Sequence, residues 1–310
     1  GHASHSLPPG LGGPSRAALY PPTAGRAEPQ RAAPVIALAA REMGASIVQN
    51  CAVRGIDREG GRICGVVTEL GYIRTSQVVV AGGAWSRLFC GNLGVSLPQM
   101  KVLSSVCRTA PVQGLPDVSA YLGSVAFRKR DDGGYNIAPS VGLSVPIVPD
   151  MFKLGLQYLP AFRAERKAVS PRLDNRFLTE LLTPTRWDLD MPTAFEKTRT
   201  LDPKPNVKLT RSMVAKLEAF FPSVGHIPVL QHWGGMIDVV PDAVPVIDTL
   251  SSVPGLTIST GYSGHGFGIG PGAGQLTADL VTGTTPVVDP TPFRLSRFTD
   301  GTPIQLIGGF

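Results

Sequence analysis

What this chain lacks narrows its chemistry first. Its four cysteines, Cys51, Cys64, Cys90 and Cys107, form no CxxC pair and no Cys/His metal spacing. Free, largely buried thiols in a reducing compartment are expected. No apolar run approaches the roughly 20 residues that span a bilayer, so no transmembrane segment is expected. A G-x-S-x-G elbow is missing: Gly261-Tyr-Ser-Gly-His265 has histidine where the last glycine would stand. That argues against a Ser/His/Asp hydrolase, although Ser263, His265 and Asp238 are all in the inventory. His226, His232 and His265 lack the i, i+4 spacing of a helical metal site, and no metal is expected. No carboxylate pair stands out. Asp238 and Asp242 read as turn caps at strand ends, with Asp238 equally able to bond a ribose or a ligand amine. The formal net charge of +6 is scattered, as in Arg128-Lys-Arg130 and Arg163 to Lys167, with no interleaved aromatics. Solvated loops are expected there rather than a nucleic-acid surface. The usual G-x-G-x-x-G phosphate fingerprint is absent too.

What is present is glycine and proline, 36 and 29 residues, in a chain of 310 that is 43% hydrophobic and 17% charged. That composition allows an ordinary core with many turns and short strands, in one large domain or two intertwined ones. The densest glycine stretch runs from Thr257 to Gly283. A short β-prone run opens it, and a turn follows in which Gly264, Gly266, Gly268, Gly270, Gly272 and Gly274 alternate with other residues. An amphipathic segment starts near Ala273. Glycines let backbone approach a ligand and adopt positive φ. A helix beginning just beyond them offers free N–H groups and a positive dipole end to an electron-rich ligand. The plainer reading is a tight strand–helix turn.

Apolar spacing predicts a helix from Pro29 or Gln30 through Met43, stopped at Gly44 and laid on a sheet. A strand is expected over Ala45–Asn50, extended chain over Cys51–Ile56, and a hairpin pairing Arg62–Glu69 with Tyr72–Thr75. Gln77–Ala81 reads as a strand buried on both faces, followed by Gly82-Gly83-Ala84-Trp85 and a helix over Ser86–Leu93. Further strands are expected at Lys101–Ala110, Ser119–Arg128, Tyr135–Pro139 and Lys153–Tyr158. Helices are expected at Asn175–Leu182 and Arg211–Phe220, with Arg163–Arg199 partly a long loop over a pocket. Two strands fall within Val229–Asp248. Little acid–base machinery accompanies the glycine turns, which suits an enzyme whose cofactor carries the hard chemistry.

Three stretches in order resemble the flavin-dependent amino-acid oxidase and dehydrogenase family, the group of D-amino-acid oxidase, glycine oxidase and sarcosine oxidase. Val78-Val-Val-Ala-Gly-Gly-Ala-Trp-Ser86 is similar to the family's strand-to-turn segment near the dinucleotide. Trp233-Gly-Gly-Met-Ile-Asp-Val-Val-Pro-Asp-Ala-Val-Pro245 resembles its W-x-G-x-x-x-x-x-P-D-x-x-P segment. Gly264-His-Gly-Phe-Gly-Ile-Gly-Pro-Gly-Ala-Gly274 resembles its G-H-G-x-x-x-x-P-x-x-G loop. The likeness covers roughly Tyr20 to Phe298. It implies an α/β fold of the FAD-linked reductase type, with a dinucleotide-binding part at residues 1–98 and 250–310. A substrate domain with a mostly antiparallel sheet would occupy residues 99–249.

The implied cofactor is FAD. Its implied contacts are Val53, Ala81, Gly82, Gly83, Trp85, Gly264, His265, Gly266, Phe267, Gly268, Ile269 and Gly270, with His265 at the ring edge as the catalytic candidate. Trp233, Met236 and Tyr262 are expected on the substrate wall. The implied reaction oxidises the C–N bond of an amino acid or secondary amine: a hydride leaves the α-carbon for flavin N5, and the imine hydrolyses afterwards. An NAD-linked dehydrogenase is disfavoured, because its fingerprint is missing as well. One departure is large, since the family opens with a βαβ unit carrying G-x-G-x-x-G. Gly1 to Gly13 reads instead as a flexible lead or a cloning remnant. A gene fragment, a processed chain and a subunit completed by a second chain each account for this. Weak FAD binding by the chain alone, or none, is expected, as is a cytoplasmic location, or a peripheral one at the inner membrane.

Overall fold

The computed structural model describes residues 11–12, 23, 25–140, 143–165 and 169–305. Most of the Gly1–Gly13 lead, and the end of the basic stretch at 166–167, lie outside the described residues. In chain order the elements are α1 (Pro29–Glu42), β1 (Val53–Glu59), β2 (Arg62–Thr68), β3 (Gly71–Arg74), β4 (Val78–Val80), α2 (Ser86–Asn92) and β5 (Met100–Thr109). There follow β6 (Ser119–Leu122), β7 (Val125–Lys129), β8 (Tyr135–Pro139), β9 (Leu143–Pro146), α3 (Pro149–Glu165), β10 (Val169–Arg172), α4 (Arg176–Leu182), α5 (Ala194–Lys197) and α6 (Val207–Phe220). The chain continues with β11 (Val229–Val239), β12 (Val246–Thr249), β13 (Leu256–Thr260) and α7 (Gly266–Thr282).

Contacts divide the chain into two units, Gly1–Ile47 with Ser104–Gly142 and Asp202–Gly235, and Val48–Leu103 with Leu143–Leu201 and Met236–Phe310. Strands β5 and β11 contribute residues to both. In the first unit β5, β8, β7 and β6 pair antiparallel in that order. Helix α6 covers them. Asn206 caps it by accepting from Leu209 N–H at 3.1 Å. Its buried Met213, Val214 and Leu217 meet Phe127, Tyr135, Ile137 and Phe221 in one apolar cluster. Helix α1 forms where predicted, but none of its residues is buried. The expected seat on a sheet is therefore not found among the described residues. Glu28, just before it, is held instead by Arg128 in two 3.0 Å bonds.

In the second unit β1, β2 and β3 form an antiparallel ladder, as the hairpin signal predicts. A second sheet has the order β12-β13-β4, with β13 and β4 parallel. All five residues of β13 are buried. Strand β4 is an edge among the described residues, and Val79 is 42% exposed. Burial of Val78–Val80 on both faces is therefore corrected: one face packs on Leu256, Ile258 and Ile56, and the other is open. Helix α7 lies on β12 and β13 through Ala273 and Leu276 against Ile247.

Other expectations fail for local reasons. Ala45–Asn50 forms no strand, and Asn50 takes a left-handed φ of 52°. Ser119–Arg128 breaks into β6 and β7 around Gly123, which sits at φ +57°. Lys153–Tyr158 is helical, inside α3. Its buried residues Leu154, Tyr158 and Ala161 recur at i, i+4 and i+7, so the alternation around Leu154 and Leu156 mimicked a strand. The stretch Arg163–Arg199 holds the end of α3, then β10, α4 and α5, and its irregular part at 183–193 borders a cavity through Thr183, Thr185 and Arg186, as the expected loop does. Tyr158 anchors α3: its hydroxyl is 2.5 Å from Val239 O and 3.0 Å from Pro98 O, and it accepts from Met100 N–H at 3.1 Å. Cys90 and Cys107 are buried, which pushes their thiols up to about 12 and leaves them unreactive.

Two ion pairs generate tests. Arg297, 5% exposed, is held by Asp242 at 2.7 and 3.1 Å and donates to Val244 O at 2.6 Å. Removing one partner leaves a buried charge uncompensated, at a cost of about 3–5 kcal/mol. Urea unfolding of Asp242→Ala should show that loss, and Asp242→Ala/Arg297→Met should recover most of it. A single variant within about 0.5 kcal/mol of wild type, the range of ordinary surface changes, contradicts the assignment. Glu69 is lowered to about 2, first by Arg199 and then by Ala52 N–H. A carboxylate depressed in the folded state stabilises above its unfolded value and loses that contribution as pH falls through the folded one. Thermal unfolding from pH 5 to pH 2 should therefore fall less steeply in Glu69→Gln than in wild type. Parallel curves contradict this.

Candidate functional site

The second unit brings the ends of β4, β11 and β13 to one place, and a single carboxylate holds them there. Asp238, on β11, accepts through Oδ2 from Gly261 N–H at 2.7 Å and from Thr260 Oγ1 at 3.0 Å. Gln99 Nε2 stands 3.1 Å from the same oxygen, 3.1 Å from Gly83 O and 3.0 Å from Thr260 Oγ1. Its two hydrogens are thus shared among three acceptors. Gln99 Oε1 in turn accepts from Arg87 N–H at 3.0 Å, and Gln99 is 2% exposed. A buried polar network of this kind is stable when every member has partners. The carbonyl of Asp238 also accepts from Ser263 N–H at 2.9 Å, and Ser263 Oγ accepts from Val240 N–H at 3.2 Å.

This clamp shapes the turn after β13. Gly261, Ser263 and Gly264 all have positive φ, of 76°, 51° and 85°. A Cβ at Gly261 would lie 2.6 Å from Val240 Cγ1, so glycine is required there by conformation and by space. Helix α7 then begins at Gly266, straight after His265 and with no side-chain cap. The glycine alternation is therefore the first two turns of a helix, not a loop ending near Ala273. Its first-turn amides point out of the helix end without a capping partner, which concentrates partial positive charge. Glycine serves two purposes in this stretch. At Gly266 a Cβ would meet Tyr262 Cβ at 2.9 Å, so the chain's own packing excludes a side chain. At Gly268 and Gly270 nothing among the described residues lies within 4 Å of such a Cβ.

Around the clamp stand most of the residues singled out from the sequence. Ala81 and Gly82 are exposed, and Gly83 takes φ +51° with its carbonyl bonded by Gln99. Val53 opens β1 and packs, half-buried, against the cluster that contains Val80. Gly264 and His265 are exposed, and the His265 ring makes no hydrogen bond among the described residues. Phe267 and Ile269 are 55% and 44% exposed on the first turns of α7. Tyr262 is half-buried, and its hydroxyl is 2.7 Å from Ser259 Oγ. Burial raises its phenol above the ordinary value. Met236 lies on β11 near Arg176, whose Nη1 is 3.9 Å from its sulfur. Trp85 packs edge-on against Phe195, with centroids 5.3 Å apart. Trp233 belongs to the first unit, as does His232, whose Nδ1 is 2.7 Å from Thr210 Oγ1. Burial first, and then Arg211, lower the His232 imidazole. Asp238 and Gln99 went unassigned by sequence reasoning as the centre of the site. A lone glutamine after Leu97-Pro98 carries no signal of its own.

No group of three or more His, Cys, Asp or Glu that could hold a metal gathers among the described residues. No helix among them is long and apolar enough to cross a membrane.

Comparison with known proteins fits this geometry. A family profile described as FAD dependent oxidoreductase matches residues 3–280. A glycine oxidase of Pseudomonas aeruginosa is 25% identical over 242 residues, 78% of this chain and 51% of that protein. A sarcosine oxidase subunit beta of an Arthrobacter species is 25% identical over 288 residues, 93% of this chain and 58% of that protein. The chain thus spans little more than half the length of these relatives. Among solved structures, an L-amino acid deaminase from Proteus myxofaciens, in complex with anthranilate, superposes with a TM-score of 0.83 at 38% identity. The match covers 86% of this chain and 60% of that one. The expected α/β architecture of flavin-linked amino-acid oxidoreductases is therefore the one found, and the chain belongs to the FAD-dependent oxidoreductase family.

Proposed function

We propose that this protein takes part in FAD-dependent oxidation of the C–N bond of an amino acid or secondary amine. The observation that carries the reading is the Asp238–Gln99 clamp, which gathers the Gly82-Gly83 turn, the Gly261–Gly264 turn and the uncapped start of α7. The residues present fit the cofactor. Open space over Gly268 and Gly270 leaves room for a flat ring. The neighbouring amides supply donors, and no side chain competes for them. Relatives named for glycine, sarcosine and L-amino acids support the substrate class.

When bound, FAD supplies the two-electron acceptor for the hydride of the substrate α-carbon. The chain's share is positioning and electrostatics. The free first-turn amides of α7, Gly266 to Gly268, would hold the electron-rich edge of the ring, with Ile269 and Gly270 contacting it through their surfaces, Ala81, Gly82, Gly83 and Trp85 as further contacts and Val53 on the nucleotide side. Phe267 and Ile269 keep water from the ring. His265 is assigned to the ring edge. Met236 and Tyr262 are assigned to the substrate wall, and Trp233 remains a candidate on its motif alone. No residue here need act as general base if the amine arrives neutral. In this assignment residues 1–98 and 250–310 serve the flavin, and residues 99–249 the substrate.

A second reading is that a further chain completes the flavin site. The open edge of β4 and the exposed Val79 favour it, because unpaired strand edges and apolar patches invite a partner. One experiment separates the two. FAD should raise the melting temperature of the purified chain by mass action if the chain suffices. If a second segment is needed, the rise should appear only when that segment is added. Gly268→Val should fold normally, within about 1 kcal/mol of wild type, because its side chain meets nothing among the described residues. The same variant should lose the FAD-dependent rise in whichever assembly shows it. A full rise in Gly268→Val, or no rise in any assembly, overturns the proposal.

A further inference from the structure

The segment 186–199 lies wholly within the second unit and is tied to β1 and to the end of α2 along its length. Asn92 clasps the backbone of Trp187, accepting from its N–H at 3.0 Å and donating to its carbonyl at 3.3 Å. The Trp187 indole donates to Arg54 O at 2.8 Å. Leu189 packs against β1 so closely that a Cβ at Gly55 would run into its side chain, which accounts for glycine in that strand. Arg199 pairs with Glu69. The segment is held as a strap.

Glu196 has two tasks within it. Its Oε1 accepts from Thr193 N–H at 2.9 Å and so closes the capping box of α5. The same carboxylate holds Arg54 at 3.1 and 3.0 Å. The α5 turn is thereby fixed to β1, and it carries Phe195. The Phe195 ring meets three others: Trp85 edge-on at 5.3 Å, Trp187 edge-on at 5.6 Å and Phe89 tilted at 6.1 Å between centroids. Edge-on contacts are directional, because the positive edge of one ring faces the negative face of the other. No hydrogen bond fixes the Trp85 indole among the described residues. Phe195 meets it, as does the Lys101 ammonium, which is 5.5 Å from the ring centre and is held by Glu180 at 2.9 Å.

We infer that the strap positions the Trp85 indole through Phe195. The order of the indole stands on these contacts alone, and only its bearing on FAD rests on the function proposed above. Phe195 comes from the residues assigned to the substrate, and Trp85 from those assigned to the flavin. The strap therefore carries order from one assigned part to the other. A side chain already held in place costs less to immobilise when a ligand arrives. Phe195 is thus a positioning residue, which acts on the cofactor without touching it.

The first test needs no FAD. The chain is labelled with 5-fluorotryptophan, and the fluorine lines of Trp85, Trp187 and Trp233 are assigned by replacing each with Phe. Glu196→Gln leaves Phe195 in place and removes the charge that ties α5 to β1. In that variant the Trp85 line should shift and broaden as the indole samples further orientations. The Trp233 line, from the first unit, should stay where it was. Arg54→Met cuts the same tie from the other side and should give the same change. A Trp85 line unchanged in both variants overturns the inference.

The second test measures FAD affinity in the assembly that shows the FAD-dependent rise in melting temperature. Phe195→Leu should weaken it about three- to tenfold, and Phe195→Tyr, which keeps the ring, should restore most of the loss. In a Trp85→Leu background the Phe195→Leu change should cost nothing further, because its effect passes through the indole. A full loss in that background means that Phe195 acts on the fold and not through Trp85, and overturns the inference. If no assembly binds FAD, the proposed function falls while the fluorine lines still decide the position of Trp85, so the two fail separately.

Discussion

The carboxylate of Asp238 is the point on which the candidate site depends. One of its oxygens receives the Gly261 amide, the Thr260 hydroxyl and the Gln99 amide, and through Gln99 it reaches the carbonyl of Gly83. These groups come from β11, from the end of β13 and the turn that follows it, from the residue just before β5, and from the turn after β4. Without the clamp, nothing obliges Gly261, Ser263 and Gly264 to take positive φ, a conformation that costs energy for the non-glycine Ser263. With it, the chain leaves β13, reverses and enters α7 within five residues. The helix end is thereby aimed by hydrogen bonds rather than by its own sequence, which is poor in helix formers.

The same clamp explains why the glycines around it differ in what they do. Gly261 and Gly266 are required by their neighbours, Val240 and Tyr262. Gly268 and Gly270 are required by nothing among the described residues. Glycine in a helix interior lowers stability relative to alanine by about 1 kcal/mol, so its use at open positions marks a surface that something else approaches. Phe267 and Ile269 point the same way, because apolar side chains lie exposed on the same two turns. The family's cofactor, a flat heteroaromatic ring, accounts for both features at once.

Much of this was legible in the sequence. The hairpin of β2 and β3, the helices α2, α4 and α6, and a β-prone run at β13 follow from turn residues and apolar spacing, while the three motif stretches and their order follow from their resemblance to the family. What could not be read depends on distant partners. Gln99 becomes central only because Gly83, Asp238 and Thr260 converge on it from elsewhere in the chain. The helix of the Gly266–Gly274 stretch defies local propensity, which is why the glycines suggested a loop. In α3, Phe152, Leu154 and Leu156 alternate with Lys153 and Gly155 and so suggested a strand. Only the burial of Leu154, Tyr158 and Ala161 reveals the helical period.

The central claim is that Asp238 orders the turn that presents α7. Amide hydrogen exchange at Gly261 tests it most directly, because that N–H donates to the carboxylate at 2.7 Å. In Asp238→Ala the Gly261 amide should exchange at least about tenfold faster than in wild type, with a stability loss of about 1–3 kcal/mol for the donors left without a partner. Amides in α6, which belong to the first unit, should keep their protection. Unchanged protection at Gly261 in that variant would contradict the account.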